Sequence, residues 1–251
     1  MHSVDELFEV VVREPDDDSR WRAIRQLHAV GTREVFERAV LLCRGDSAGE
    51  RVAGADIIGQ LNAFSDEAMT TLLAMLGDGE ASVVEAVIHA LSQRQDARTI
   101  DALARAAAHD ASNVRWAVAT ALEDLIADER AERVLLALMR DDDTSVRDRA
   151  TFAVGSLSDH DTPRIRTALA ERLRDEDRCV AHEAALGLAR RRDARAIPYI
   201  AIAVESADGE IEEAADEITS PDMLPELLKA RDAIGDGRGL STLIERCRAR
   251  L

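Results

Sequence analysis

Apolar residues recur along the chain at helical spacing, in a pattern that returns about every 32 residues. In the copy that begins at Val146, apolar side chains occupy positions 1, 5, 8, 9 and 12. This is the spacing of one face of an amphipathic helix, and it differs from the strict alternation of a strand. Copies of the pattern begin at Ser19, Glu50, Val83, Val114, Val146, Val180 and Ile211. Each period is therefore predicted to form one unit of helical structure.

The fifth position of every copy carries a small or β-branched residue. A small side chain there lets a neighbouring helix approach closely, because the distance between packed helices depends on the side chains at the contact. The residues are Ala23, Gly54, Val87, Val118, Ala150, Ala184 and Ala215. We therefore expect a neighbouring helix to approach closely at this position.

A second apolar segment follows each first helix after a polar turn. Examples are the sets Ile100, Leu103 and Ala107; Ile165, Leu169 and Leu173; and Leu224, Leu227 and Leu228. Pro163 and Pro198 lie near the starts of two such segments, where a helix tolerates proline because its first amides have no partner within the helix. Acidic turns at 16–18, 141–143 and 175–177 precede first helices and favour their positive N-terminal ends.

These patterns predict an all-α fold, an α-solenoid of about seven antiparallel helix pairs. One pair cannot bury its apolar stripe alone, whereas stacked neighbours bury it continuously. Residues 1–16 are expected to form an N-terminal cap, with Val4, Leu7, Phe8 and Val11 facing inward. The repeats are expected to occupy 17–231. The C-terminal cap is expected at 232–251, with its helix starting at Leu240 after the glycine-rich loop 235–239. With no low-complexity linker in view, we expect a single domain.

Composition narrows the class of protein. The 251 residues carry 49 acidic and 32 basic side chains, a formal net charge of -17, which opposes binding to nucleic acid or to anionic lipid. No apolar run is long enough to span a membrane, and the first residues do not resemble a signal peptide. The three cysteines, Cys43, Cys179 and Cys247, are widely separated, which predicts a reducing, cytoplasmic location.

The first-helix pattern, with Val-Arg at its start and an aspartate before it, resembles the HEAT repeat. The likeness is to the short bacterial type that also occurs in phycobilin lyases. The second-helix openings at 96–100 and 193–198 resemble that type as well, and the resemblance covers roughly 17–231. It implies a helical repeat fold, second helices along the concave face, and a role as a protein-binding scaffold. The copy at Ser19, Gly54 in the next copy, and the last copy, with Thr219, Pro221 and Pro225, depart from the pattern.

The dipeptide His182-Glu183 is the strongest candidate for metal chemistry. Deoxyhypusine hydroxylases, which resemble this chain in fold, hold two irons through four His-Glu dyads on first helices. Only His182-Glu183 matches such a dyad here, because the corresponding residues in the other copies are of other types. We therefore expect an ordinary polar pair on the surface of a helix.

Other catalytic patterns are missing from the sequence. The six histidines show no metal-ligand spacing, and no nucleophile, base and orienting group stand together. The loop 235–239 lacks the Lys-Ser/Thr of a phosphate-binding loop. The expectation is a protein without metal, cofactor or catalytic residues, and one that is not an enzyme.

Arginine stands at the second position of four copies, at Arg20, Arg51, Arg115 and Arg147. Such a series is able to bind anions, but it is also able to pair with the acidic turns and order the stack. A bidentate, partly buried Arg–Asp pair contributes more than an exposed one. We expect the structural role, with Arg147 paired to Asp143.

Two features indicate partner binding. Trp21 and Trp116 stand at position 3, outside the apolar set, where a tryptophan is able either to anchor a partner or to pack on the adjoining repeat. The segment 205–226 carries nine acids and no basic residue, so we expect uncompensated charge that suits a basic partner. The nine are Glu205, Asp208, Glu210, Glu212, Glu213, Asp216, Glu217, Asp222 and Glu226.

The sequence therefore favours a non-enzymatic scaffold or adaptor whose curved repeat surface binds another protein, one with a basic face. Two alternatives stay open. One is a subunit of an enzyme that resembles phycobilin lyases, and the other is an acidic inhibitor or immunity-type protein that neutralises a basic toxin. Nucleic acid and membranes are not expected partners, and the pattern does not indicate an oligomeric state.

Overall fold

The fold is built from α-helices. A computed structural model describes residues 2–13, 17–204 and 209–251. Within these ranges the regular structure is α-helix and short 3₁₀ turns, with no β-strand. Seven first helices alternate with seven second helices, and one further helix stands at each end. The predicted all-α class, an α-solenoid of helix pairs, is confirmed. None of the described helices is both long and apolar enough to cross a membrane.

Residue contacts group the chain into two compact units, 1–131 and 132–251, and the division falls within α9. The prediction of a single domain stays a prediction. The helices that begin in the first unit are α1 Val4–Arg13, α2 Asp17–Val30, α3 Arg33–Leu42, α4 Ala48–Gly59, α5 Ser65–Met75, α6 Ala81–Ser92, α7 Ile100–Ala106, α8 Ser112–Leu122 and α9 Glu129–Leu138. Those of the second are α10 Thr144–Gly155, α11 Pro163–Arg172, α12 Arg178–Arg190, α13 Ile197–Ala203, α14 Gly209–Ile218, α15 Leu224–Ile234 and α16 Arg238–Ala249.

Side-chain caps fix where several helices begin. The Asp143 carboxylate accepts hydrogen bonds from the amides of Ser145 and Val146 and so caps α10. Asp177 caps α12 in the same way, through the amides of Cys179 and Val180. These bonds satisfy amides that the helix itself leaves without an acceptor. The acidic turns thus start helices, as their positions in the sequence predict.

The repeated apolar face forms the core within each unit. All seven residues at position 5 are buried, and so is position 1 in the five copies where it is apolar. In the first unit α6 packs between α4 and α8, and in the second unit α12 packs between α10 and α14. Several second helices pack mainly against the helix that follows them, as α3 does on α4 and α11 on α12, whereas α13 packs mainly on α16. Each helix therefore buries its stripe against a neighbouring repeat.

The carboxyl ends of two first helices are held by side chains from neighbouring repeats. Arg191 donates to the backbone carbonyls of Val154 and Gly155, the last residues of α10. Arg94 donates to the Ile58 carbonyl near the end of α4. Positive side chains suit these ends, because the last carbonyls of a helix carry partial negative charge.

A short helix lies at each end of the chain, as expected. The first, α1, buries Leu7, Phe8 and Val11 and packs on α2. The last, α16, begins at Arg238 within the glycine-rich loop, two residues before the predicted start, and packs on α13 and α15. Gly235 ends α15 with a φ of 93°, a conformation that suits glycine.

Neighbouring first helices of the second unit touch at two glycines. A Cβ atom added to Gly187 on α12 would lie 2.5 Å from the Cα of Gly155 on α10 and 3.2 Å from Cδ1 of Leu169. The backbones therefore meet with no room for a methyl group at this point.

We predict that Gly187→Ala destabilises the second unit. The added methyl forces α10 and α12 apart, and overpacking of this kind costs about 1–3 kcal/mol. Urea unfolding followed by circular dichroism measures the change in the free energy of unfolding. Gly209→Ala is the control, because nothing lies within 4 Å of the added Cβ at that helix start. Equal stability of the two variants would show that the contact is not tight.

Candidate functional site

The arginines at position 2 connect successive turns of the stack. Arg51 donates from Nε to Oδ2 of Asp78 at 2.7 Å and from Nη2 to Oδ1 at 3.0 Å. Asp78 lies in the turn before the next first helix, α6. The Nη1 atom of Arg51 donates to the carbonyls of Gly45 and Asp46, in the turn of its own repeat. One guanidinium thus holds two inter-repeat turns together.

Arg147 makes the same connection at a buried position. It donates from Nε and Nη2 to both carboxylate oxygens of Asp175, each at 3.1 Å, and from Nη1 to the carbonyls of Asp141 and Asp142. The side chains of Arg147 and Asp175 are 9% and 3% exposed. Burial is the largest single influence and raises the pKa of the Asp175 carboxyl. The hydrogen bonds from Arg147 and from the Asp177 amide, together with the charges of Arg147 and Arg172, outweigh it, so the pKa lies below its usual value. The carboxylate is therefore charged at neutral pH.

Two details of the expected Arg–Asp series are corrected. Arg147 pairs with Asp175 of the following turn and not with Asp143, because the Asp143 carboxylate is turned towards the amides that begin α10. Arg20 pairs with Asp56 on α4, at 2.6 Å, and not with a turn. Burial raises the pKa of Asp56 to about 6 although Arg20 opposes the shift. Arg115 donates to the carbonyls of His109 and Asp110, in the turn of its own repeat, as Arg51 and Arg147 do in theirs.

The acidic segment is mostly compensated in three dimensions. Glu205 and Asp208 lie outside the described residues. Three of the segment's acids have basic partners on another helix or turn: Arg246 lies 2.5 Å from Glu212, Arg250 2.5 Å from Asp216 and Arg192 3.4 Å from Glu217. A fourth, Glu226, pairs within α15 with Lys229 at 2.6 Å. The expectation of uncompensated charge is therefore corrected. Two of these pairs join α14 to α16, so part of the acid holds the last helix in place.

Two acids at the start of α14 stay exposed. Glu210 lies 3.5 Å from Nε2 of His182, and Glu213 forms no ion pair with any described residue. They stand three residues apart and so share one side of the helix. The acidic surface that remains for a partner in the described part of α14 centres on these two side chains.

The two tryptophans differ in their surroundings. Trp21 is 39% exposed, with the Arg20 guanidinium 5.9 Å from its ring centroid. Trp116 on α8 is half-buried, and its ring packs edge-on against His89 of α6 at 6.5 Å. Trp116 thus packs on the adjoining repeat, while a role of either residue in partner binding stays a prediction.

The pair His182-Glu183 lies on α12. Its glutamate accepts a hydrogen bond from Ser156 Oγ at 2.6 Å, and burial raises the pKa of the Glu183 carboxyl. Among the described residues no three histidine, cysteine or acidic side chains are grouped to hold a metal ion.

One large apolar side chain of α13, that of Ile202, is exposed. Ile202 is 82% exposed and lines two clefts. The first is lined by residues of α12, α13 and α14, and the second by residues of α13, α15 and α16. The first cleft, of about 450 Å³, also contains Tyr199, His182, Arg178 and Ile211 in its lining. The second, of about 500 Å³, is lined by Pro198, Ile234, Gly235, Arg238 and Leu240 among others. We call Ile202 with these two clefts the α13 surface.

Comparison of the second helices with one another marks Ile202 in the sequence. Four of the second helices can be aligned on one apolar position. Ile100, Ile165 and Ile197 each stand four residues after an aspartate (Asp96, Asp161 and Asp193), and Leu224 is the corresponding residue of the last copy. Five residues further on, three other copies have Arg105, Ala170 and Lys229, whereas this copy has Ile202. A large apolar residue thus stands where the pattern places small or charged ones.

A second departure from the pattern lies in α9. By the same alignment, four residues after Asp128, the buried apolar position of this helix is Glu132. It is 1% exposed. The Nε of Arg164 lies 2.9 Å from its Oε1, while Thr162 Oγ1 donates to Oε2 at 3.2 Å and His160 Nε2 lies 3.3 Å from Oε2. A carboxylate therefore occupies a site that elsewhere buries isoleucine or leucine.

Repeated helix pairs with a small-residue stacking face and Arg–Asp pairs between turns define a class of helical repeat protein. A family model for HEAT repeats matches residues 40–123, 69–155 and 131–219. The chain belongs to the HEAT-repeat family.

Curated and solved proteins agree with this assignment. Protein YibA of Escherichia coli (strain K12) is 28% identical over 238 residues, which is 89% of this chain and 83% of YibA. Its X-ray structure has a TM-score of 0.78 at 25% identity and covers 98% of this chain and 93% of its own. An engineered protein at 20% identity, with a TM-score of 0.51, covers 73% of this chain and 96% of its own, and shows the fold alone.

Human deoxyhypusine hydroxylase also matches, with a TM-score of 0.41 at 21% identity, over 98% of this chain and 95% of that one. By its name it is an enzyme, so the expectation that a chain of these repeats is not an enzyme is contradicted, and it is withdrawn. The likeness is too low to transfer an activity or a residue role to this protein.

We predict that Arg147→Ala lowers the free energy of unfolding of the second unit by about 3–5 kcal/mol, because it leaves the buried Asp175 carboxylate without its main partner. Arg147→Lys keeps the charge but loses the two-pronged contact, so an intermediate loss is expected. Urea unfolding checks both variants.

Arg174→Lys is the control for the lysine variant, since Arg174 is exposed in a turn of the same unit. A change within about 0.5 kcal/mol is expected there. If Arg147→Lys were as stable as the wild type, a positive charge at this position would be sufficient and the two-pronged hydrogen bonding to Asp175 would not contribute.

Proposed function

We propose that this protein is an interaction scaffold that binds another protein through the α13 surface and the adjoining start of α14. The observation that carries the proposal is the exposure of Ile202 between two clefts. An apolar side chain of this size that is left in water next to concave, apolar walls is typical of a binding surface. A partner that inserted apolar side chains into the two clefts would enclose Ile202 between them.

The negative charge next to Ile202 supports a partner with basic residues. Ile211 of α14 lines the first cleft, so its neighbour Glu210 stands at that surface, and Glu213 follows on the same side of the helix. The net charge of -17 also attracts a basic protein over a distance and so speeds the encounter. The proposed partner therefore presents apolar side chains flanked by arginine or lysine.

The other expectations from the sequence stay proposals. A cytoplasmic location rests on the three free cysteines, of which Cys43 and Cys247 are buried and Cys179 is exposed. The tetrapyrrole-binding and toxin-neutralising alternatives are not favoured by any particular feature of the described residues.

We predict that Ile202→Ser weakens partner binding by about 30-fold, as expected for a central apolar contact that contributes about 2 kcal/mol. The partner is captured by crosslinking in a lysate of the source organism, purified, and titrated by calorimetry. Leu41→Ser is the matched control, because Leu41 on α3 is also an exposed apolar residue, at 66%. Recovery of no protein, or equal loss in both variants, would contradict the proposal.

We also predict that Glu210→Lys with Glu213→Lys weakens the same complex several-fold and reduces its dependence on salt, mainly through a slower association rate. Glu212 is left unchanged because its pair with Arg246 supports α16. Surface plasmon resonance at two salt concentrations measures the rates. The double change of Glu9 and Asp142 to lysine alters the net charge equally at exposed positions elsewhere, and a similar loss there would assign the effect to net charge alone.

A further inference from the structure

Three side chains that depart from the repeat pattern line the first cleft of the α13 surface. Arg178 belongs to α12, whereas Tyr199 and Ile202 belong to α13, and all three contribute to the lining of this space of about 450 Å³. Ala203 and Ile211 are among the apolar residues that complete its wall. The departures of one helix pair therefore meet at one place.

Arg178 is the first residue of α12 and stands two residues before the start of its repeat copy. The other six first helices begin at the same place with an acidic, hydroxyl-bearing or small residue: Asp17, Ala48, Ala81, Ser112, Thr144 and Gly209. A positive side chain is unfavourable there, because the amino-terminal end of a helix carries partial positive charge. The start of α12 therefore gains no stability from the charge of Arg178.

The guanidinium of Arg178 forms no hydrogen bond or ion pair with any described residue. The carboxylate of Asp175, which also lines the cleft, is already fully engaged. Its Oδ1 accepts hydrogen bonds from Arg147 and from the Asp177 amide. Its Oδ2 accepts from Arg147 and from Arg172. The donors of Arg178 are thus left for another acceptor at the cleft.

The hydroxyl of Tyr199 is a second donor that has no partner in the described ranges. At the corresponding place of their second helices, three other copies have Ala102, Thr167 and Glu226. The Tyr199 ring packs edge-on against His182 of α12, with the ring centroids 6.2 Å apart. Partial burial raises the pKa of the Tyr199 phenol, so the hydroxyl keeps its proton at neutral pH.

We propose that the first cleft binds a carboxylate that is carried on an apolar group. Arg178 and Tyr199 donate to the carboxylate oxygens, and Ile202 and Ile211 contact the apolar group. Arginine suits the planar, two-oxygen edge of a carboxylate. The nearby Glu210 repels anions, so a group with one negative charge fits better than a phosphate monoester, which carries about two. The proposal goes beyond the partner surface described above and does not rest on it.

The site is tested by titrating the full-length protein with isocaproate and, separately, with N-acetylleucine, each compared with its uncharged amide. NMR follows the backbone amides and the ring of Tyr199, the single tyrosine of the chain. We expect saturable shifts at the cleft with at least one acid, and binding of its amide weakened about tenfold. Tighter binding of isocaproate indicates a free acid as the source, and tighter binding of N-acetylleucine indicates the C-terminal residue of another chain. Equal binding of acid and amide, or no saturable shift with either acid, would overturn the proposal.

Substitutions assign the donors. Arg178→Gln is expected to weaken binding of the acid about tenfold, because it removes the charged donors. Tyr199→Phe, which loses only the hydroxyl, is expected to weaken it several-fold. Arg174→Gln is the matched control, since Arg174 is an exposed arginine of the preceding turn that does not line the cleft. A similar loss in Arg174→Gln and Arg178→Gln would overturn the role of Arg178. No partner protein takes part in these titrations, so their failure leaves the complex proposed above unaffected.

Discussion

Neighbouring first helices lie so close that a single added Cβ atom would meet backbone, as Gly155 and Gly187 demonstrate. Each helix pair has an apolar stripe that it cannot bury alone, so the stack depends on this approach. Packing is also tight at position 5, where a Cβ atom on Gly54 would lie 2.5 Å from the backbone nitrogen of Cys43. Small or β-branched residues at position 5 and an aromatic content of only 3% fit such close packing. It also brings the carbonyl ends of α4 and α10 within reach of Arg94 and Arg191.

Arginine side chains make many of the hydrogen bonds and ion pairs between repeats. A guanidinium has five donors in a fixed plane, so Arg51 and Arg147 each bind an aspartate of the next turn and two carbonyls of their own turn. Lysine, with a point charge, cannot make these contacts together. Much of the acid that gives the net charge of -17 thus has a structural partner, including the acids of α14 that bind Arg246 and Arg250 of α16.

The candidate sites are places where the chain departs from its own repeat. Ile202 stands where other second helices have Arg105 or Lys229, and Arg178 begins α12 where the other first helices begin with an acidic, hydroxyl-bearing or small residue. Neither departure helps the stack: one exposes an apolar side chain to water, and the other places a positive charge at the positive end of a helix. Where a residue works against local stability, a role outside folding is the natural explanation. Repetition makes such departures easier to recognise, since each copy is a reference for the others.

Amino-acid order alone determined the helices, their caps, the period and the buried face, because these depend on neighbours within a few turns of one helix. Asp143 and Asp177 cap the helices that begin at the next residue, and the position-5 residues are buried as predicted. Only the tertiary structure decided the partners of the charges. Arg147 binds Asp175, 28 residues later, and Glu212 binds Arg246, 34 residues later. An ion pair forms between atoms that packing brings together, so a segment without basic residues along the chain still gains basic partners, two of them from α16, once the chain is folded.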